Sequence, residues 1–421
     1  TSLWFYHAFK KIAADPRFND PKHMTDPLPE DMRQRYSLPT LTTALVWIHA
    51  PHKESDAMVA RKRFAFEEIF FIQMRAQIER AKSEREKSFV IDDKKNADDF
   101  IERLGFKMTE GQLSAVNDIL NDMKRGHPMS RLLEGDVGSG KTAVAATAAY
   151  AVVTERPKNQ KYGTLQVAYM APTEILAKQH FESFIKLFQH MPISIGLITG
   201  KECRKFPSKL AGTKLAPNGW THISRSQLTK WVKNGEIAIV IGTHALIQKN
   251  VAFKHLGLVI IDEQHRFGTN QRQKLARKHD VTPHLLSMTA TPIPRTLALT
   301  LYGDLDLSVI EQMPSGRKPI ITKIIKPEGL AAAYEHIREQ IREGRQAYVI
   351  CPRIDEPDED PVLPGMKYVE AETKQMKSVI GEAKRLKKEV FPEMKFGILH
   401  GKMKPALKEE VMNAFLDKKI D

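Results

Sequence analysis

The chain has 421 residues, of which 42% are hydrophobic and 28% charged, as is ordinary for a globular protein of two or three domains. Lysine and arginine outnumber aspartate and glutamate by 65 to 51, which gives a formal net charge of +14. Such a surplus favours a polyanionic partner, because basic side chains that neutralise phosphates release condensed counterions, although a generally basic proteome would also explain it.

Membrane insertion and secretion are not indicated by the sequence. No apolar run approaches the ~18 residues that a membrane span requires, and the first residues, TSLWFYHAFKK, lack the pattern of a signal peptide. The two cysteines, Cys203 and Cys351, are far apart and have no metal-ligand spacing, which argues against a disulfide framework or a zinc site. We therefore expect a cytoplasmic protein without a membrane partner.

The residues up to about 85 carry helical patterning, strongest in ARKRFAFEEIFFIQMRAQIERAKSEREK, where apolar and charged residues alternate over many turns. This run predicts one long helix. Two proline-containing stretches before it, DPKHMTDPLPED and HAPHKES, cannot continue a helix and are interpreted as connectors. Residues 1–98 are therefore expected to form a helical connector.

From about residue 100, short apolar runs alternate with helical segments, which is the pattern of an α/β fold. Runs such as LGLVIID and EIAIVIGT are apolar throughout, and this indicates a parallel sheet that is covered on both faces. The predicted strands are 130–133, 165–170, 193–198, 237–241, 258–261 and 283–288.

A turn-rich stretch, MPSGRKPI, separates this series from a second one. The strands predicted in the second series are 320–325, 347–351 and 395–399. We expect residues 99–313 and 314–421 to form two domains. The second series has few strands, so it is either a small domain or one within which the chain ends.

The sequence GDVGSGKT matches a phosphate-binding turn, in which glycines allow backbone N–H groups and the start of a helix to wrap a triphosphate. The runs SRLL before it and TAVAATAAYAVV after it supply the strand and the helix that the motif requires. Lys141 is expected to reach the β- and γ-phosphates, and the Thr142 hydroxyl is expected to ligate Mg²⁺. The other residues expected to bind the nucleotide here are Gly135, Gly138, Ser139 and Gly140.

An acidic pair follows the apolar run LGLVII, roughly 120 residues after the phosphate turn. Asp262 is expected at the end of a strand that neighbours the strand of the turn, where it would hold the metal through water. Glu263 is expected to polarise the attacking water as a general base beside the γ-phosphate. Together the two motifs predict an ATPase or a GTPase without fixing its use.

Four further polar residues bear on how hydrolysis is used. Gln264 and His265 directly follow the acidic pair and could sense the γ-phosphate, whereas Thr289 and Thr291 of SMTATPIPRT could hydrogen-bond back to the acidic segment. Each of them could equally be a helix cap or a satisfied loop residue. The residues alone therefore leave open a switch protein, in which the nucleotide only toggles a partner surface.

Taken in chain order, the motifs resemble those of superfamily-2 helicases, and of the RecG family of ATP-dependent DNA helicases in particular. The resemblance covers nearly the whole chain and rests on MTDPLPEDMRQRY, RFAFEEIFFIQ, FKMTEGQ, GDVGSGKT, MAPTEILAKQH, GTHALIQ, DEQHRFG, SMTATPIPRTLALT, YGDLDLSVI, CPRID and LHGKMK. It implies two RecA-like motor domains with parallel sheets, the use of ATP and Mg²⁺, and a monomer. It also implies remodelling of branched or forked DNA in repair and recombination.

The same resemblance implies roles for further residues. Gln112 corresponds to the adenine contact of the family, and Phe106 is a weaker candidate for stacking on the base. Five residues correspond to the surface of the first motor domain that faces the DNA backbone: Pro172, Thr173, Gly242, Thr243 and His244. They follow apolar strands, where exposed N–H and hydroxyl groups suit phosphate contacts that carry no sequence information.

Two related helicases are the nearest alternatives to the RecG family, which remains the better match, and some features of the chain depart from the family. The transcription-repair coupling factor and the replication-restart helicase usually have DEEH where this chain has DEQH. Only the family resemblance argues against an RNA-directed helicase of the same superfamily.

The resemblance does not extend to two parts of the family's proteins, the N-terminal wedge domain that grips branched DNA and the C-terminal part of the second motor domain. We therefore expect an internal fragment that is weak or inactive alone. Residues 202–227 are expected to form a surface insertion, and residues 355–367 a flexible loop.

Overall fold

The structure of the protein, a computed structural model, describes residues 2–20, 22–156, 163–208, 218–248, 251–263, 281–291, 305–312, 320–354 and 378–421. The chain divides into two compact units, Thr1–Arg317 and Lys318–Asp421. Residues 1–98 fall in the same unit as the α/β part, and the division into three expected domains stays a prediction. Within the described ranges, no helix is long and apolar enough to cross a membrane.

Four helices open the first unit: α1 Ser2–Ala13, α2 Glu30–Arg35, α3 Leu41–His49 and α4 Glu54–Ser83. Helix α4 confirms the predicted long helix. The two proline-containing stretches separate helices as predicted, since α2 begins directly after Pro29 and Pro51 lies between α3 and α4.

A buried ion pair fixes the first of these connectors to α4. Arg63 is fully buried, and its Nη2 lies 2.9 Å from Oδ1 of Asp26 and 3.1 Å from Oε2 of Glu67. The Asp26 carboxylate also accepts the backbone N–H groups of Leu28 at 3.0 Å and Leu41 at 2.8 Å. Charge-assisted hydrogen bonds therefore hold the DPLP segment in one conformation against the long helix.

The α/β part of the first unit is built on a single sheet. Its strands are β1 Ser130–Gly135, β2 Gln166–Met170, β3 Ile195–Ile198, β4 Cys203–Phe206, β5 Thr221–His222, β6 Ile239–Gly242, β7 Leu256–Ile261, β8 His284–Thr289 and β9 Asp306–Ile310. The spatial order is β5-β4-β3-β6-β2-β7-β8-β1-β9. All neighbours are parallel except the pairs β3-β4 and β4-β5. The predicted α/β fold and all six strands of the first series are thereby confirmed.

Helices cover both faces of the sheet. They are α5 Lys94–Glu102, α6 Glu110–Met123, α7 Lys141–Thr154, α8 Glu174–Leu187 and α9 Arg225–Asn234. Successive strand residues point to opposite faces, so Val167 and Tyr169 join the core beneath α5 to α8, whereas Ala168 and Met170 join the core beneath α9. Burial on both faces explains why these strands are apolar throughout.

The expectation of a surface insertion at 202–227 is wrong for part of that segment. Cys203, Arg204 and Phe206 are buried in β4, which extends the sheet by pairing antiparallel with β3. The guanidinium of Arg204 lies 4.1 Å from the ring centroid of Trp220. Cys203 and Phe206 therefore add to the core. Residues 209–217, like the expected loop 355–367, lie outside the described residues.

The second unit contains the helices α10 Leu330–Arg342, α11 Val379–Arg385 and α12 Pro405–Leu416. Its three predicted strands, 320–325, 347–351 and 395–399, are not formed in the described residues. An apolar run becomes a strand only where neighbouring chain supplies a ladder of hydrogen bonds. Here Ala347 N–H donates to the Asp421 carbonyl at 2.9 Å and Asp421 N–H donates to the Lys395 carbonyl at 3.0 Å, and no ladder follows.

Candidate nucleotide-binding site

Most of the predicted site residues lie at one edge of the sheet, where the carboxyl ends of its parallel strands meet. The phosphate turn follows β1, the acidic pair Asp262 and Glu263 follows β7, and the expected DNA-facing residues follow β2 and β6. Strand β8 lies between β1 and β7, so the expectation that the acidic pair ends a strand next to β1 is wrong. The two motifs are therefore separated by two strand spacings, or about 10 Å.

The phosphate turn requires glycine at three positions. Gly138 and Gly140 have φ values of 80° and 90°, in the left-handed region that glycine adopts without strain. A Cβ atom at Gly135 would lie 2.5 Å from Oγ of Ser139. That Oγ is buried and has no hydrogen-bond partner, and Thr142 lies half-buried in the first turn of α7. The turn thus leaves unpaired polar groups where a phosphate would lie.

The ammonium group of Lys141 lies within the turn. Its Nζ donates to the carbonyl oxygens of Gly135 at 2.5 Å and Asp136 at 3.0 Å. Burial lowers the pKa of Lys141, and the negative charges of Asp262, Glu263 and Asp136 oppose that shift. The acidic pair therefore acts electrostatically on the lysine across the intervening strand, and the structure brings together the two motifs.

Two residues that the sequence did not indicate lie beside Asp262, and one of them, His180, contacts its carboxylate. Nε2 of His180, on α8, lies 2.7 Å from Oδ2 of Asp262, and Nδ1 of His180 lies 3.1 Å from the Tyr169 hydroxyl. Tyr169 is fully buried, and burial, followed by the charge of Asp262, raises its pKa well above its usual value. No spacing rule connects these residues, although the QH of MAPTEILAKQH is a polar pair on a helix that begins at the same edge.

The backbone of Glu263 is unusual for a residue with a side chain. Its φ is 52°, in the left-handed region, which costs about 1–2 kcal/mol for a residue other than glycine. Its N–H donates to Oδ1 of Asp262 at 3.0 Å. This bond fixes the Asp262 carboxylate relative to the backbone of Glu263.

Gln112 is buried beside the phosphate turn. Its Oε1 accepts the N–H of Thr109 at 2.9 Å in a capping box at the start of α6, and its Nε2 donates to the Ser139 carbonyl at 2.7 Å. Phe106 is 49% exposed. The structure brings Gln112 to the phosphate turn, and contacts of Gln112 and Phe106 with adenine stay predictions.

The residues after β2 include a helix cap and are also the predicted DNA contacts. Pro172 is half-buried and Thr173 is exposed. Thr173 is the N-cap of α8, since its Oγ1 accepts the N–H of Leu176 at 3.2 Å. Contacts of Pro172 and Thr173 with DNA stay predictions, and the positive end of α8 also points towards this edge of the sheet.

The residues after β6 are packed more tightly. A Cβ atom at Gly242 would lie 2.3 Å from the carbonyl oxygen of Ile198, so glycine is required by the close approach of β3 and β6. The Gly242 carbonyl accepts the N–H of Ala171 at 2.8 Å. Thr243 is buried, and His244 is exposed. Contacts of these residues with DNA stay predictions.

Of the residues expected to couple hydrolysis to DNA, the structure describes Thr289 and Thr291. Oγ1 of Thr289 lies 2.9 Å from Oγ1 of Thr291, and Thr291 N–H donates to Thr289 Oγ1 at 3.3 Å. Among the described residues, these two threonines hydrogen-bond to each other and not to the acidic pair, so coupling stays a prediction. Gln264 and His265 lie outside the described residues.

Comparison with known proteins identifies relatives over almost the whole chain. Residues 109–300 match the family model of DEAD/DEAH box helicases. The chain is 38% identical over 400 residues to the ATP-dependent DNA helicase RecG of Synechocystis sp. and 40% identical over 395 residues to that of Bacillus subtilis. These alignments cover 94% and 93% of this chain but 43% and 52% of the relatives.

A solved structure of RecG bound to a three-way DNA junction is also similar. It has a TM-score of 0.69 and 32% sequence identity, covering 99% of this chain and 49% of that chain. This chain thus spans about half the length of the relatives that it matches. The resemblance predicted from the motifs is confirmed, and the chain is a homologue of the RecG family of ATP-dependent DNA helicases.

Proposed function

We propose that this chain is the part of a RecG-type motor that binds ATP and couples its hydrolysis to the remodelling of branched DNA. The observation that supports the proposal most is the convergence of three features at one edge of the sheet: the phosphate turn, the acidic pair and the polar ends of β2 and β6. Because a relative was solved with a three-way DNA junction, we infer branched DNA as the substrate.

The residues of the turn fit a nucleoside triphosphate with its magnesium ion. The glycines leave room for phosphate oxygens, Ser139 offers an unpaired buried hydroxyl, and the N-terminus of α7 adds N–H groups. Thr142 and Asp262 would hold Mg²⁺, which usually takes one or two protein ligands together with phosphate oxygens. Bound Mg²⁺ would supply positive charge that stabilises the transferred phosphoryl group.

The protein residues would divide the remaining work. Lys141 would leave the carbonyl oxygens of Gly135 and Asp136 and contact the β- and γ-phosphates. Glu263 would orient the attacking water and accept its proton. Gln264 and His265 are proposed to sense the γ-phosphate, and the two threonines after β8 to pass its loss to the DNA-facing edge.

Nucleotide binding tests the first part of the proposal. Titration of the chain with a fluorescent ATP analogue should show Mg²⁺-dependent binding, and Lys141→Ala should weaken this binding at least about tenfold. The control Lys186→Ala, which replaces an exposed lysine of α8, should leave the binding unchanged. Glu263→Gln should keep binding, and Asp262→Asn should lose its metal-dependent part. If the last two variants bind alike with and without Mg²⁺, the division of roles is wrong.

DNA binding tests the second part. Because phosphate contacts dominate, the affinity for forked DNA should fall steeply and log-linearly with salt and should not depend on base sequence. Thr173→Ala removes a hydroxyl from the proposed DNA-facing edge, and Thr40→Ala removes an equivalent N-cap from α3, away from the sheet. A several-fold loss of DNA affinity in the first variant alone supports the assignment, and equal behaviour of both opposes it.

A linkage experiment separates a motor from a nucleotide switch. In a motor, forked DNA changes the affinity for ATP and ATP changes the affinity for DNA by the same factor. A switch that acts on another partner would show no such coupling with any nucleic acid, and preferential coupling to RNA would favour an RNA-directed helicase. We further propose a monomer that works in the cytoplasm, and sedimentation measurements test the oligomeric state.

A further inference from the structure

The carboxylate of Asp262 is held by a donor on each oxygen. Oδ1 accepts the N–H of Glu263 at 3.0 Å, and Oδ2 lies 2.7 Å from Nε2 of His180. Asp262 itself follows β7, and its own N–H donates to the carbonyl oxygen of Met170 on β2 at 2.9 Å. Backbone and carboxylate are therefore both fixed, and α8 supplies one of the two donors to the carboxylate.

The position of His180 is itself set by a buried residue. A carboxylate only accepts hydrogen bonds, so we assign a proton to Nε2 of His180, and in that tautomer Nδ1 is an acceptor. The Tyr169 hydroxyl lies 3.1 Å from Nδ1 and 3.4 Å from Nε2, and under this assignment it donates to the nearer nitrogen, Nδ1. The two rings also lie against each other, with centroids 4.7 Å apart. With this tautomer, the hydrogen bonds link Tyr169 through His180 to Asp262.

We propose that His180, oriented by Tyr169, is a positioning residue that aims the Asp262 carboxylate at the Mg²⁺ of bound ATP. The inference rests on the proposed function, because it assigns Asp262 to the metal. With both oxygens engaged, rotation of the carboxylate about Cβ–Cγ breaks two hydrogen bonds. The lone pairs that remain on the two oxygens are those through which Asp262 would hold the metal.

The expected loss of Mg²⁺ affinity can be estimated from other metal sites, in which side chains that hydrogen-bond to a metal ligand have been removed. Removing a side chain that orients a ligating group costs about 10–100-fold in metal affinity or activity. His180 and Asp262 have side chains only 14% and 13% exposed, so water replaces the lost donor incompletely. Loss of the imidazole should therefore act on Mg²⁺-dependent nucleotide binding, while the phosphate turn, which His180 does not contact, keeps its intrinsic affinity.

The test measures binding of a fluorescent ADP analogue to the whole chain, first in EDTA and then during a Mg²⁺ titration. His180→Ala should raise the Mg²⁺ concentration at half-saturation by about tenfold or more, with the affinity in EDTA unchanged. His180→Gln should restore most of the loss, because its side-chain amide can donate to Oδ2 from nearly the same place. Tyr169→Phe, which removes only the orienting hydroxyl, should give a smaller shift.

His190→Ala is the matched control, since His190 is exposed just beyond the end of the same helix. A His180→Ala protein that melts like wild type but keeps the wild-type Mg²⁺ requirement overturns the inference. Equal loss in EDTA and in Mg²⁺ also overturns it, because that result marks a purely structural role. Absence of Mg²⁺-dependent binding in the wild type would instead refute the ATP site itself.

Discussion

A buried histidine makes the stability of the first unit depend on pH. His284, at the start of β8, is fully buried. Its Nδ1 accepts the N–H of Met129 at 3.0 Å, and its Nε2 donates to the carbonyl of Phe89 at 2.7 Å. The neutral ring thereby joins the segment after α4 to two strands of the sheet, and it has no place for a second proton without losing the Met129 bond.

The pKa of His284 is lowered from 6.5 to about 4, mainly by burial and further by the charge of His127, while the bond to Phe89 opposes the shift. A difference of about 2.5 units corresponds to about 3 kcal/mol between the protonation states. Because the unfolded chain takes up the proton first, this stabilisation is complete above about pH 6.5 and is lost as the pH falls towards 4. At pH 5 the expected loss is about 2 kcal/mol.

Urea unfolding followed by tryptophan fluorescence measures this loss in the first unit alone, because all four tryptophans lie there. Wild type and His284→Gln are compared at pH 7.5 and pH 5, with the exposed His190→Gln as control. The glutamine variant should be less stable at pH 7.5 and should lose about 2 kcal/mol less on acidification. Parallel losses in wild type and His284→Gln would refute the assignment of this pH dependence to His284.

Three substitutions test other parts of the structure. Gly140→Ala forces a left-handed φ of 90° on alanine and places its Cβ 2.2 Å from Nε2 of Gln112, so it should lower the free energy of unfolding by at least about 1–2 kcal/mol and weaken ATP binding. Gly105→Ala, with nothing within 4 Å of the new Cβ, should do neither. Arg63→Met should cost less than the 3–5 kcal/mol typical of a broken buried ion pair, because Asp26 keeps two backbone donors; a larger loss by urea unfolding would contradict this. Gly242→Ala should lower the free energy of unfolding by about 3 kcal/mol, because its Cβ clashes with a carbonyl oxygen of β3. A variant that melts like the wild type but no longer binds DNA would instead make this glycine a contact residue.

The parts of the fold that could be predicted are those encoded by local patterns. An apolar run long enough for one strand, followed by glycines and then helix formers, indicates β1, the phosphate turn and α7 without knowledge of the rest of the chain. The same holds for Asp262 and Glu263 at the end of β7. Each of these features depends on neighbours within a few residues, and the structure keeps them.

The parts that could not be predicted depend on which strands become neighbours. Three such features join segments that are distant in sequence. They are the position of β8 between β1 and β7, the burial of β4 in the sheet, and the contact of His180 with Asp262. Hydrophobic periodicity carries no information about such partners. The three strands predicted at 320–325, 347–351 and 395–399 are not formed in the described residues for the same reason, since apolar runs specify strand propensity and not a hydrogen-bonding neighbour.

The left-handed backbone of Glu263 has a consequence for laboratory evolution. Glycine at this position would relieve about 1–2 kcal/mol of backbone strain, and it would also remove the carboxylate assigned to the attacking water. A library that is selected for heat resistance should therefore enrich glycine at position 263, and a library that is selected for turnover should retain glutamate. The acidic end of β7 is thus a position where the requirements of folding and of chemistry favour different residues.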